Sequence, residues 1–245
     1  VATYRLYEEL GTRTCMKYLE ALNFKGLDKK DYKYNTTCLG GFTNGTTVVE
    51  MAAGYATIAN DGEYRTPDCI IKITDAKGND IVPEDTSTKS VYSSSASRMM
   101  TSVLQSCVTE YEGTAHVCQL DVDMPAACKT GTTNNYVDGW LCGYTPYYTT
   151  AVWVGMDVYK SVDNLKGNTY PASIWTNYMN KIHQGLPRKE FESYLGDTES
   201  TTEATTESTE DDTESTTEAT TEAATEAATE AGSEASDDQA AADKV

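Results

Sequence analysis

The stretch Pro125-Ala-Ala-Cys-Lys-Thr-Gly-Thr-Thr133 sets an ammonium, two hydroxyls and a glycine side by side, directly after small apolar residues. Ala126, Ala127 and Cys128 suit the buried part of a strand; at Lys129 polar groups take over. Lys129 brings a point charge with three donors, Thr130 and Thr132 bring hydroxyls that donate or accept, and Gly131 leaves room for a backbone to approach the strand edge. Such a lip suits an extended peptide ending in a carboxylate. The edge pairs with the peptide backbone while the hydroxyls and the ammonium take the negative end. Lys-Thr-Gly by itself is short enough to recur by chance, and a lysine at a strand end before a turn is an equally plain reading of it.

The residues that follow narrow the choice. Asp138-Gly-Trp-Leu-Cys-Gly-Tyr-Thr-Pro146 and Thr149-Thr-Ala-Val-Trp-Val-Gly-Met-Asp157 read as two further strands around a short Pro146-Tyr147-Tyr148 turn, which predicts a three-strand meander. Lys129 to Thr132, the Asp138 to Pro146 run and Val152-Trp-Val-Gly155 resemble the end of the transpeptidase domain of class A penicillin-binding proteins. Glu50-Met-Ala-Ala-Gly-Tyr-Ala-Thr-Ile-Ala-Asn-Asp-Gly62 resembles the helix that this family places before the same sheet.

The resemblance implies an α/β (α+β) fold of the β-lactamase/transpeptidase type, with an antiparallel sheet packed between helices, truncated at its N-terminal side. It divides the chain into a partial transpeptidase domain over residues 1–190 and a disordered, Thr/Glu/Ala-rich acidic tail over 191–245. It also implies roles. Lys129 polarises a second-motif serine and draws the substrate carboxylate, Thr130 and Thr132 hydrogen-bond that carboxylate, and the Thr132 backbone N–H shares an oxyanion hole. Gly131 lies in the substrate-binding strand. The implied substrate is the D-alanyl-D-alanine end of a peptidoglycan stem peptide, mimicked by β-lactams, at the extracytoplasmic face of a bacterial cell membrane. No cofactor and no metal is implied.

The family's other two motifs, Ser-x-x-Lys and Ser-x-Asn, are absent: no lysine follows a serine by three positions and no asparagine follows a serine by two. Residues 1–10, Val-Ala-Thr-Tyr-Arg-Leu-Tyr-Glu-Glu-Leu, read as the middle of an amphipathic helix with no cap before it. The expectation is a fragment holding one wall of the site, inactive alone, with its nucleophile and membrane anchor upstream. Within the same chemistry a carboxypeptidase or serine β-lactamase is the alternative. From another class, a non-catalytic binding module or surface protein on the same scaffold is possible.

Charge is unevenly spread along the 245 residues. From Asp197 onward sixteen acidic residues face one lysine, so −15 of the net −19 sits there and −4 remains for the rest. Nothing is basic enough for nucleic acid, and no run of apolar residues is long enough to cross a membrane. Thr201-Thr-Glu-Ala204, Thr205-Thr-Glu-Ser208, Thr216-Thr-Glu-Ala219 and Thr220-Thr-Glu-Ala223 form a four-residue repeat that stacks like charges on any helix, which predicts an extended polyanion.

The elements around the site are legible in outline. Gly11 ends a first helix, and Thr12 is expected to cap a second carrying Met16, Leu19 and Leu22. Phe24 to Thr46 reads as a polar connection with turns at Gly40-Gly41 and Asn44-Gly45. Thr47-Val-Val-Glu50 fits a capping box opening a small-residue helix through Asn60. Cys69–Thr74 and Asn79–Val82 read as a hairpin. Ser93-Ser-Ser95 caps a helix whose apolar face is Met100, Val103, Leu104 and Cys107. Pro171–Ile182 is predicted helical with Ile174, Trp175, Tyr178, Met179 and Ile182 facing a core. The seven cysteines contain no C-x-x-C, and with only His116 and His183 beside them they read as buried thiols rather than a zinc site. Neither histidine sits in a triad pattern.

Overall fold

The computed structural model describes residues 2–82 and 85–195. The acidic repeat, and the expectation made for it, lie outside the described residues.

Two short helices open the chain, α1 (Ala2–Leu10) and α2 (Thr12–Ala21). Gly11, at φ +79°, both ends the first and caps the second, so Thr12 is the first helical residue and not the cap. A connection with one 3-10 turn, Asn35–Leu39, leads to α3 (Val48–Ala59). The predicted capping box is present: Thr47 Oγ1 accepts the Glu50 N–H at 3.1 Å and the Glu50 carboxylate accepts the Thr47 N–H at 2.8 Å. The same carboxylate takes the Lys25 N–H at 2.8 Å, so one side chain both starts the helix and pins the loop before it. Asp31 organises that loop, accepting from the Asp28 N–H and from both the N–H and the hydroxyl of Thr43.

Four short strands follow: β1 (Glu63–Tyr64), β2 (Ile73–Thr74), β3 (Asp80–Val82) and β4 (Lys89–Ser90). The predicted hairpin exists as β2 with β3, but Cys69 to Lys72 stay outside it. The β1–β4 pair has no period-two signal, because two-residue strands are too short to carry one.

Helix α4 (Ser94–Thr109) starts under the Ser93 cap, whose hydroxyl accepts the Ala96 N–H. Its buried face is Ser97, Thr101, Leu104 and Val108, whereas Met100 and Val103 are exposed. Half of the expected apolar face, Met100 and Val103, is therefore turned outward, while Leu104 is buried and Cys107 packs partly covered against the core. Thr101 can face inward because its hydroxyl is satisfied by the Ser97 carbonyl at 2.9 Å and the Tyr144 hydroxyl at 2.8 Å. Small residues on this face let the helix approach the sheet closely.

That sheet is a meander of β5 (Ala127–Thr132), β6 (Gly139–Tyr144) and β7 (Thr149–Val154), in the order β5-β6-β7. Among the described residues, β7 pairs only with β6, and β5 likewise. Helix α5 (Tyr170–Ile182) begins with Pro171 in its first turn and closes the fold. Its buried stripe is Pro171, Ala172, Trp175 and Met179; Ile174 and Tyr178, both expected inside, are about half exposed.

The period-two alternation of the strands separates two cores. Cys128 and Leu141 face α5, packing with Trp175, Met179, Val108 and Cys118. Ala127 and Tyr144 face α3 and α4, packing with Leu104, Tyr55 and Ile58. Phe191 sits edge-on to Tyr144 at 5.6 Å, so the packed part of the chain reaches at least that residue. No helix among the described residues is long and apolar enough to cross a membrane.

Candidate active site

Strand β5 changes character along its length. Ala127 and Cys128 are fully buried, Lys129 is exposed, Thr130 and Gly131 are partly covered, and Thr132 is exposed. The register places Lys129 opposite Cys142, Thr130 opposite Leu141, Gly131 opposite Trp140 and Thr132 opposite Gly139. Residues directly opposite each other share a face. Lys129 and Gly131 therefore lie on the α3/α4 side, while Thr130 and Thr132 lie on the α5 side.

The three polar side chains expected to act together thus leave opposite faces of one strand, and each is held by a different partner. The Lys129 ammonium bends back to that strand, donating to the Thr130 carbonyl oxygen at 2.6 Å. On the other face the Thr130 hydroxyl lies 2.8 Å from the Thr114 hydroxyl. Thr132 Oγ1 accepts the Gly167 N–H at 3.0 Å.

The loop that supplies Gly167 is pressed onto the strand. A Cβ at Gly167 would lie 2.6 Å from the Trp140 carbonyl oxygen and 2.7 and 2.8 Å from the Gly131 O and N atoms. Only a residue without a side chain allows this approach. The same end of the site strand is also held by Asp138. Its N–H donates to Thr133 Oγ1 at 2.8 Å, and its carboxylate accepts the Trp153 indole N–H at 2.9 Å. Trp140 of β6 and Trp153 of β7 stand 6.4 Å apart as cross-strand neighbours. Asp138 and Trp153 were legible as motif letters; their bond to one another was not.

The profile of the family described as Penicillin binding protein transpeptidase domain matches residues 1–184. The chain belongs to this family. It is 33% identical over 171 residues to penicillin-binding protein 4 of Bacillus subtilis, covering 70% of this chain and 27% of that protein. It is 31% identical over 193 residues to penicillin-binding protein 1A of Clostridium botulinum, covering 78% of this chain and 23% of the other. The chain thus spans about a quarter of the length of these relatives. Among solved structures, penicillin-binding protein PonA1 from Mycobacterium tuberculosis superimposes with a TM-score of 0.65 at 24% identity, over 77% of this chain and 55% of that one. A second PonA1 structure, in complex with penicillin V, aligns with a TM-score of 0.64 over the same shares of the two chains. These structural likenesses bear on the fold, which is the mixed helix and antiparallel-sheet fold of penicillin-binding protein transpeptidase domains.

Next to the candidate site, Cys128 fills space. It is fully buried beside Cys118, and a Cβ at Gly143, its cross-strand neighbour, would lie 2.5 Å from its sulfur. Burial drives its thiol well above the ordinary range, with the Cys118 contact adding to the effect. Burial likewise pushes Cys142 up to about 12. Cys118, Cys128 and Cys142 are buried as expected, but Cys15, Cys38 and Cys107 are only partly covered and Cys69 is exposed. His183 is buried at the end of α5, its Nδ1 facing the Met179 carbonyl at 2.7 Å and its Nε2 facing the Thr145 hydroxyl at 2.7 Å, which is a structural clasp. His116 faces the Val108 and Tyr111 carbonyls with its two ring nitrogens at 3.0 and 3.1 Å. Among the described residues, no group of three or more His, Cys, Asp or Glu is placed to hold a metal ion.

Sequence reasoning missed Thr114 and Gly167 as neighbours of the site strand. Glu112-Gly-Thr-Ala115 and Lys166-Gly-Asn168 have no periodicity and no charge pattern. The only local signal is a glycine in each, and a glycine in a loop is ordinarily read as a turn.

Proposed function

We propose that the chain forms the Lys-Thr-Gly-Thr wall of a D-alanyl-D-alanine transpeptidase, an acyltransferase that cross-links peptidoglycan stem peptides outside the bacterial cell membrane and is acylated by β-lactams. The observation that carries this reading is the outer edge of β5. One strand end presents an ammonium on one face and two hydroxyls on the other, on a strand paired on a single side among the described residues.

A peptide laid along that edge exchanges backbone hydrogen bonds with the strand. Its terminal carboxylate meets the Thr130 and Thr132 hydroxyls, and the Lys129 ammonium reaches over the edge to add charge. Gly131 keeps the strand low enough for the peptide to approach. The Thr132 backbone N–H serves as one oxyanion donor. The serine nucleophile and its lysine partner are supplied by sequence outside these 245 residues, since neither Ser-x-x-Lys nor Ser-x-Asn occurs within them.

The test is labelling with a fluorescent penicillin. The 245-residue chain alone stays unlabelled, because loss of a serine nucleophile costs on the order of 10⁶ in rate. The full-length protein that carries it gives a covalently labelled band. A labelled band from the chain alone, or none from the full-length protein, would overturn the reading.

A further inference from the structure

The Thr114–Thr130 hydroxyl contact joins the site strand to a corner of the fold that neither the motifs nor the family resemblance singled out. That corner is unusually well fixed for a loop. The Gly113 N–H donates to the Glu110 carbonyl at 2.8 Å, and the Ala115 N–H donates to the Cys107 carbonyl at 2.9 Å. A Cβ at Gly113 would lie 2.4 Å from the Cys107 carbonyl oxygen, so the chain passes against the last turn of α4 with no room for a side chain. Ala115 is fully buried, and the His116 ring rests against the carbonyls of Val108 and Tyr111. Thr114 stands between these anchored neighbours, itself exposed, with its hydroxyl 2.8 Å from that of Thr130.

We propose that Thr114 is a positioning residue that donates its hydroxyl proton to Thr130 Oγ1, and so leaves the Thr130 proton directed at the carboxylate of the bound peptide or β-lactam. The inference rests on the transpeptidase reading above and extends it by one residue. A threonine hydroxyl has a single proton. If Thr130 gives that proton to Thr114, it can offer a carboxylate only lone pairs, which an anion repels. With the donor order Thr114 to Thr130 to carboxylate, each link polarises the next. An incoming negative charge selects this order, because only the Thr130 proton can then reach it. The fixed corner matters because it keeps Thr114 in place before ligand arrives, so little ordering is left to do on binding. Thr114 does not touch the substrate in this arrangement and works through Thr130 alone.

The experiment uses the full-length protein and measures the second-order acylation rate constant with two probes: a fluorescent penicillin bearing its free carboxylate, and the same compound with that carboxylate masked as a methyl ester. Thr114→Val removes the donor and keeps the shape; Thr114→Ser keeps the donor. The expected result for Thr114→Val is a loss of roughly fivefold with the free acid, the effect of one hydrogen bond, and less than twofold with the ester. Thr114→Ser is expected to match the wild type with both. A loss of equal size with the two probes would show a merely structural role and overturn the inference, as would an unchanged rate with the free acid or a Thr114→Ser variant as slow as Thr114→Val. If the wild type itself is acylated by neither probe, the transpeptidase reading falls and this inference with it. A wild type that reacts while Thr114→Val is unaffected sinks the inference alone.

Discussion

Gly167→Ala is the sharpest test of how the site strand is held. The methyl group would sit 2.6 to 2.8 Å from three backbone atoms of Trp140 and Gly131, closer than real Cβ contacts come. Those atoms belong to paired strands, so they have no flexible side chain end to yield. The loop must lift instead, and in lifting it loses the Gly167 N–H bond to Thr132 Oγ1. Overpacking of this kind costs about 1–3 kcal/mol and the lost hydrogen bond about 1 kcal/mol. The sum, roughly 2–4 kcal/mol, corresponds to a fall in Tm of about 4–16 °C for a domain of this size. Thr132→Val is the matched control, because it deletes the acceptor while leaving the space untouched, and it is expected to cost only about 1 kcal/mol. Thermal melts of the purified protein and its two variants, followed by circular dichroism, measure both. The reasoning fails if Gly167→Ala melts no lower than Thr132→Val, since the steric contact would then contribute nothing.

Two further outcomes follow from the titratable groups. Burial works to raise the Asp31 carboxyl, but hydrogen bonds from the Asp28 N–H and from the hydroxyl and N–H of Thr43 outweigh it and hold the group below its ordinary value. A depressed carboxyl stabilises the fold above the unfolded value of about 3.9, and that stability is lost as pH falls toward and through the lower folded value. The amides of the loop between Asp28 and Thr43 are therefore expected to lose hydrogen-exchange protection, after correction for the intrinsic rate, below about pH 4, with Asp31→Asn less protected there at neutral pH as well; protection factors flat from pH 7 to pH 2 would refute this. Native alkylation with iodoacetamide, read by peptide mass spectrometry, is expected to modify Cys69 first and to spare Cys118, Cys128 and Cys142 until the protein is unfolded, because burial both hides these three and raises the Cys128 and Cys142 thiols. Early modification of Cys128 would mean that the start of β5 is not packed as described.

The meander, the capping box and the end of the first helix were legible because each rests on interactions between elements or residues close together in the chain, although Gly11 and not the expected Thr12 caps the second helix. Thr47 and Glu50 find one another across a single helical turn, and Gly11 at positive φ is a local matter. The buried faces of α4 and α5 were less legible. Met100 and Val103 look more suited to a core than Ser97 and Thr101, yet the hydroxyl-bearing face is turned in, since Tyr144, 43 residues further on, supplies a partner for Thr101. Hydrophobicity read along one helix carries no information about such a partner. The site divides in the same way. Lys129, Thr130, Gly131 and Thr132 were legible as a string, whereas Thr114 and Gly167, 16 and 35 residues away from their partners, became visible only once the chain was folded.

The separation of the ammonium from the two hydroxyls follows from the strand itself. Successive side chains of a strand point to opposite faces, so a Lys-Thr-Gly-Thr sequence in regular β conformation places Lys129 on one face and both threonines on the other. What fixes which face each takes is the buried half of β5. Cys128 packs against Trp175, and Ala127 packs against Leu104 and Tyr144. A register slip of one residue exchanges the two faces and would carry Lys129 into the sulfur-lined core that Cys128 occupies. Burying an unpaired ammonium costs several kcal/mol, more than the repacking of any one side chain could offset. The placement of the polar end is thus set by the apolar end, two residues earlier. The hydroxyls are then held by partners on rigid backbone, Thr130 by the corner after α4 and Thr132 by the loop at Gly167. Among the described residues the ammonium is seen to bond only a carbonyl oxygen of its own strand, and an exposed bond of this kind is exchanged for one to another acceptor at little net cost. The threonine face of this strand is therefore the more firmly held of the two, and the lysine face the more adaptable.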